Sequence, residues 1–123
     1  GHDLNTGNQR QNSILENTLA PFVSTIREKY PSVPILIISK IRMAKEMHFM
    51  DKLNHALKLA RFQAGFVKKQ NENGDNNIYF LNGKNLLIPL QHEATVDGIH
   101  PTDLGFYFMA KRIIKKILSI IEN

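Results

Sequence analysis

The run Val33-Pro34-Ile35-Leu36-Ile37-Ile38-Ser39 decides the fold. It is almost wholly apolar and rich in β-branched residues, which is typical of a strand covered on both faces, as in a parallel sheet. A second short apolar run, from Ile78 to Leu81, predicts another strand. We therefore expect an α/β protein whose strands are buried between layers of helix.

Apolar residues at helical spacing predict a helix before this strand and another after it. The first covers about residues 13–30, where Ser13 and Glu16 have the spacing of a capping box and Pro31 ends the helix. The second covers about residues 47–69. The polar sequence before Ser13, rich in Asn, Gln and Gly, is typical of a loop.

Residues 71–77 are typical of a turn that leads into the second strand, and residues 83–99 are typical of a loop that follows it. A third helix is predicted after this loop. Thr102 and Asp103 are typical of a helix N-terminus. The helix order predicts right-handed crossovers and a parallel sheet. Two strands cannot cover both of their own apolar faces, so we expect further strands from an upstream segment or a partner. The apolar stripe of the third helix consists of Phe106, Ala110, Ile113, Ile117 and Ile121.

Composition narrows the class of protein. The chain has 123 residues, 42% of them hydrophobic and 22% charged, which is ordinary for one globular domain. It has no cysteine, which excludes disulfides, thiolate metal sites and a Cys nucleophile. The net charge is +5, but no nucleic-acid-binding motif accompanies it, so we expect no nucleic-acid partner. Solvated helix faces account for most of the basic residues, including Lys111, Arg112, Lys115 and Lys116.

The sharpest chemical motif is Asp97-Gly98-Ile99-His100-Pro101-Thr102-Asp103-Leu104-Gly105. An acid three residues before a histidine can bend back within one turn and hold one ring nitrogen, which leaves the other nitrogen free to act as a base. A bare Asp-x-x-His would more often be a turn residue beside a structural histidine. The longer string favours the catalytic interpretation.

That string closely resembles the last sequence block of the SGNH/GDSL hydrolases, in which the Asp and the His are the catalytic pair. The segment from Pro21 to Ile37 resembles the family's penultimate helix–strand unit, and residues 77–83 resemble the strand before its catalytic loop. The resemblance runs from about Asn8 to Ile117 and is nearest to the GDSL-like lipase/acylhydrolase subgroup. It implies the C-terminal part of a flavodoxin-like three-layer α/β fold, and residues 1–123 would form a single partial domain.

The resemblance also implies a function, the hydrolysis of acyl or acetyl esters by a serine enzyme. His100 would be the general base and then the general acid, and Asp97 would orient it. The family's oxyanion-binding asparagine falls on Asn8 by position, with Asn5 as the alternative. The family needs no metal or other cofactor, although His92, Asp97 and His100 could be imagined as ligands. The expected substrate is a small ester or an acylated carbohydrate.

The family's nucleophile stands in a Gly-Asp-Ser-like motif, and none of this chain's serines follows Gly-Asp; they are Ser13, Ser24, Ser32, Ser39 and Ser119. Ser39 ends a predicted strand, where α/β sheets place ligands, but it lacks the turn that would expose it. We expect the serine outside this chain, and negligible activity from the chain alone. The expected partner is the upstream half or a second copy of the chain. The alternative is a non-catalytic or truncated domain that serves binding or assembly.

Overall fold

The computed structural model describes residues 9–44, 46, 50–90 and 92–122. The elements alternate as the sequence predicts, and the fold is α/β. Two strands and a short 3-10 turn, Gly83–Asn85, lie between three helices, which are α1 (Gln9–Lys29), β1 (Ile35–Ile38), α2 (Met50–Glu72), β2 (Ile78–Leu81) and α3 (Asp103–Ile121).

The strands β1 and β2 pair in parallel, in register from Ile35 opposite Ile78 to Ile38 opposite Leu81. The predicted parallel pairing is therefore confirmed. Within the described residues the sheet has these two strands alone. The prediction of this helix over about residues 47–69 was close, but α2 continues to Glu72 and ends before Gly74, whose φ of 98° is readily adopted only by glycine.

The start of α1 differs from the prediction. The helix already includes Gln9, so Ser13 lies within it and the capping-box assignment is wrong. A capping residue needs non-helical backbone angles, and a helix with a long buried face gains more from packing than from one local cap. Leu15, Leu19 and Val23 supply that buried face.

One face of the sheet is covered by α1 and α2. The buried cluster there joins side chains of both helices to the start of β2, and the half-buried Ile35, Ile37 and Phe80 pack against it. Alternation along the strands directs Leu36 and Ile38 to the opposite face. The buried members of the cluster are Leu15, Leu19, Val23, Leu59, Val67 and Ile78.

The opposite face is less covered. Lys116 of α3 lies over the Tyr79 ring, 5.6 Å from its centroid, so α3 is on this side of the sheet. Among the described residues no large side chain of α3 is buried. The exposed apolar residues of α3, which we call the α3 face, are Leu104, Phe106, Tyr107, Ile114, Ile117, Leu118 and Ile121. The described helices include none with the length and apolar character of a membrane span.

Arg27, near the end of α1, links three parts of the chain. Its Nε and Nη2 atoms donate to the two carboxylate oxygens of Asp75 at 2.8 and 3.1 Å. The same guanidinium donates to the carbonyl oxygens of Val33 and Asn77 at 2.7 and 3.1 Å. Because these carbonyls precede β1 and β2, one side chain fixes α1 to the entry of both strands.

Candidate active site

The carboxyl ends of the two strands are drawn together immediately before the candidate site. The amide of Gly83 donates to Ser39 Oγ at 2.9 Å, and the Ser39 amide donates to the Leu81 carbonyl at 3.1 Å. Gly83 is buried against the Ser39 and Lys40 carbonyls so closely that a Cβ atom would overlap them. The backbone therefore leaves β2 in a fixed direction toward the loop that follows.

That loop, residues 94–102, is a narrow hairpin that we call the Asp-His loop. The Thr102 amide donates to the Ala94 carbonyl at 2.9 Å, and the Val96 amide donates to the His100 carbonyl at 2.9 Å. Gly98, at the tip, has a φ of 79°, which favours glycine over any residue with a side chain. These bonds bring Asp97 and His100 to the same side of the turn.

Asp97 binds His100 with both of its carboxylate oxygens. Oδ1 accepts the amides of Ile99 and His100 at 2.9 and 2.8 Å, while Oδ2 lies 2.8 Å from Nδ1 of the His100 ring. A carboxylate can only accept, so this pairing favours the ring form with the proton on Nδ1. The lone pair then lies on Nε2, where it can take a proton from another group.

The same bonds set the ionisation of Asp97. The His100 amide, followed by the hydrogen bond to the His100 side chain, holds the pKa of the Asp97 carboxyl well below its ordinary value of 3.8. The Asp97 side chain is 49% exposed and that of His100 is 69% exposed. Asp97 is thus a carboxylate at neutral pH, and both partners remain open to a substrate or to another protein segment.

The loop is joined to α3 through residues that the sequence analysis did not assign to the site. Thr102 caps the helix, because its Oγ1 accepts the Gly105 amide at 3.2 Å. Thr102 and Asp103 therefore begin α3 as predicted. The only sequence signal for Gly105 was its place in the motif.

Arg112 was predicted to belong to a solvated helix face, and this is wrong. Its guanidinium donates to the carbonyl of Leu86 and, at 2.6 Å, to that of Ile88. It also lies 5.7 Å from the centroid of the Phe108 ring. Arg112 thus fastens α3 to the segment before the Asp-His loop. Periodicity could not reveal this, because the partners are backbone atoms more than 20 residues away.

Ser39 follows directly after the last residue of β1, in agreement with its interpretation as a strand-end residue. It is buried, its Oγ accepts the Gly83 amide, and it lies 3.4 Å from Asn82 Oδ1. This hydroxyl belongs to the junction between the strands. Asn8 and Asn5 lie outside the described residues, so their predicted role stays a prediction. In the described part of the chain no three metal-ligating side chains converge, and His92 is exposed.

The fold and the loop together define an α/β protein that holds an Asp-His pair on an exposed loop. Residues 5–118 match the model of the GDSL-like lipase/acylhydrolase family, and the chain belongs to that family. Among solved structures it is similar to a GDSL-like lipase from Bacteroides ovatus, with a TM-score of 0.78 and 29% sequence identity. That match covers 88% of this chain and 32% of the other, so the chain spans about a third of its length. No curated protein matches the chain.

Proposed function

We propose that this chain carries the acid–base half of a serine ester hydrolase. The observation that carries the proposal is the 2.8 Å approach of Asp97 Oδ2 to His100 Nδ1 on an exposed loop. The second carboxylate oxygen accepts two backbone amides, so the Asp97 side chain cannot turn away from the ring without losing them. Membership of a lipase/acylhydrolase family supports the choice of an ester as substrate.

In the proposed reaction, Nε2 of His100 removes the proton from a serine hydroxyl as that oxygen attacks the ester carbonyl. The resulting imidazolium returns the proton to the departing alcohol, which leaves an acyl-serine. Water then attacks the acyl group with His100 again as base, and the carboxylic acid is released. Asp97 keeps the ring in the required tautomer and stabilises the imidazolium by its negative charge.

The serine in this mechanism comes from residues outside this chain. Ser39 is a poor candidate, because a buried hydroxyl that already accepts the Gly83 amide is neither exposed nor activated. Asn8, or Asn5 in its place, would donate its side-chain amide to the oxyanion that forms on the carbonyl oxygen. The substrate would be an acyl or acetyl ester, either a small ester or an acylated carbohydrate.

The partial domain would be completed at β1 and α3. Ile35 and Ser39 direct their amides to β2, so the polar backbone groups of Leu36 and Ile38 point to the other edge. In the described part of the chain no strand pairs with that edge. The α3 face is also exposed, on the side of the sheet where Lys116 lies over Tyr79. An upstream half, or a second copy of the chain, would cover both features and could bring the serine.

A second candidate function is binding or assembly without catalysis. It is favoured by the structural use of Ser39, since the serine at the strand ends serves the junction with Gly83. In that case the Asp-His loop would be a retained structural feature of the family, and the open edge of β1 would be the functional surface.

An ester-hydrolysis assay with p-nitrophenyl esters of several chain lengths separates the two candidates. The chain is compared alone and joined to the sequence encoded upstream of it, with His100→Ala as the test and His92→Ala as the matched control. We expect turnover only in the joined protein, lost in His100→Ala and kept in His92→Ala. Turnover by the chain alone that depends on His100 would place the serine within it, and Ser39→Ala would follow. Absence of turnover by the folded joined protein on every ester would favour binding.

A further inference from the structure

The first turn of α3 lies directly against the base of the Asp-His loop. Gly105, in that turn, is buried, and a Cβ atom there would overlap the Ala94 carbonyl oxygen and lie 3.0 Å from Pro101 Cβ. The obstructing oxygen belongs to the backbone, so it cannot rotate aside as a flexible side chain could. Only glycine lets the helix approach the loop this closely.

The Ala94 carbonyl is also the anchor of the loop. Ala94 is fully buried, its amide donates to the Leu90 carbonyl at 2.7 Å, and its carbonyl accepts the Thr102 amide at 2.9 Å. Thr102 Oγ1 lies 3.4 Å from the Glu93 carbonyl and accepts the Gly105 amide. The Ala94 carbonyl therefore closes the base of the hairpin and also lies against the first turn of α3 at Gly105.

We propose that Gly105 is a positioning residue for the Asp97–His100 pair, because the space it leaves allows the Ala94 carbonyl to close the Asp-His loop. A side chain at 105 would force the helix away from Ala94 and weaken the Thr102 bond at the base of the hairpin. The Val96–His100 bond and the two amides on Asp97 lie above that base and depend on it. The effect of Gly105 on catalysis rests on the proposed function, whereas its effect on the positions of Asp97 and His100 does not.

The test is an NMR titration of Asp97. The chemical shifts of its carboxyl carbon and of the Ile99 and His100 amides are recorded as the pH is lowered. In the parent chain the carboxylate should stay ionised well below the ordinary titration range of an aspartate, since its pKa is depressed by the groups that bind it, the His100 amide first. In Gly105→Ala we expect those two amide signals to shift and the Asp97 titration to move up by roughly one pH unit or more.

Gly65→Ala is the matched control. Gly65 lies within α2 with open space where a Cβ would be, so the same substitution should leave the Asp97 signals unchanged. A folded Gly105→Ala chain with the parent's Asp97 titration and amide signals would overturn the proposal. Should Gly105→Ala not fold, Thr102→Val decides, because it removes the hydroxyl that accepts the Gly105 amide, and Thr102→Ser restores it. A shift in the valine variant that serine reverses supports the proposal, and unchanged Asp97 signals in the valine variant reject it.

Activity gives a separate readout in the joined protein. There Gly105→Ala should lower kcat by about tenfold or more with little change in KM, as expected when a general base is displaced. If the NMR shifts appear and no variant, parent included, hydrolyses esters, the proposed function fails while the positioning role stands.

Discussion

The two sides of the sheet are held together in different ways. On the side of α1 and α2, side chains far apart in sequence form a buried cluster. On the side of α3, no large side chain of that helix is buried among the described residues. The Asp-His loop is held by its own backbone hydrogen bonds, and the Arg112 side chain donates to the Leu86 and Ile88 carbonyls before the loop. The first side is organised for stability, and the second is open and locally ordered, which suits a site that must meet another molecule.

Among the described residues, each side has one carboxylate whose pKa is clearly lowered, and the causes differ. The hydrogen bond from the Arg27 side chain holds the pKa of Asp75 below its ordinary range, and the Asp75 side chain is 18% exposed. Backbone amides within three residues do the same for the half-exposed Asp97. A depressed pKa alone therefore does not distinguish a structural acid from a catalytic one. Asp97 differs from Asp75 in its greater exposure and in the shorter sequence distance to its partner.

The largest expected effect is on catalysis. In a hydrolytically active form of the protein, Asp97→Asn should lower kcat by roughly 10⁴-fold, because the amide would favour the wrong tautomer of His100. Asp75→Asn, on the other side of the sheet, should leave kcat within about threefold of the parent. Steady-state ester hydrolysis measures both. An Asp97→Asn enzyme with near-parent kcat would show that the pair is structural.

The next effect is on stability. Arg27→Met should lower the free energy of unfolding by about 2–4 kcal/mol, because it leaves the Asp75 carboxylate and two backbone carbonyls without their charged donor. Urea denaturation followed by circular dichroism gives the value. Lys58→Met is the control, since its 3.6 Å contact with Glu16 is largely exposed and should contribute little. Equal losses in the two variants would contradict the structural role of Arg27.

These contrasts also explain what could be predicted from sequence. Asp97 and His100 are three residues apart, so their contact follows from local geometry. The limits of β2 were predicted correctly because a short apolar run stands between turn residues. The Arg27–Asp75 pair spans 48 residues, and no local pattern reports it.

The remaining misses share that cause. Ser13 has the spacing of a cap, yet the packing of Leu15 and Leu19 extends α1 beyond it. The contact between Gly105 and Ala94 exists only once α3 has docked, so the sequence gives Gly105 a place in a motif and no physical role. The catalytic roles of Asp97 and His100, and those of Asn8 and Asn5, stay predictions.

The third prediction concerns the open side. The chain alone should self-associate, since in its described part β1 has an unpaired edge and the α3 face leaves apolar surface exposed. Ile114→Glu on the α3 face should weaken association by about 2 kcal/mol, the usual value of a buried isoleucine side chain. Light scattering after size exclusion measures the mass against concentration. Arg61→Glu, exposed on α2, is the control. A parent chain that stays monomeric at high concentration would contradict this expectation.

The fourth prediction is the pH dependence of stability. The folded-state pKa of each carboxyl lies below its ordinary value of 3.8, so the stabilisation is present above that value and lost as pH falls through the lowered pKa. Asp75→Asn should reduce the loss of unfolding free energy as the pH falls just below 3.8, the ordinary pKa of an aspartate. Asp97→Asn should reduce it over a wider interval that begins at the same pH and extends lower, because the pKa of Asp97 is lowered more. Urea midpoints from pH 6 to about pH 2.5 test the order, and overlapping profiles for the two variants would contradict it.

The smallest expected effect is that of an exposed ion pair, against which the less exposed Arg27–Asp75 pair can be compared. Lys68 and Glu72 approach to 3.8 Å on α2, with side chains 79% and 63% exposed. Solvent screens such a pair, and lysine preceding glutamate is the less favourable order along the helix dipole, so the coupling should be about 0.3 kcal/mol or less. Alanine changes helix propensity as well as charge, and a double-mutant cycle with Lys68→Ala and Glu72→Ala removes that contribution. The same cycle on Arg27 and Asp75 should give at least about 1 kcal/mol, since each of those side chains is less than a fifth exposed. Comparable couplings would mean that burial does not set the strength of the pair, and the distinction drawn between the two sides of the sheet would lose its physical basis.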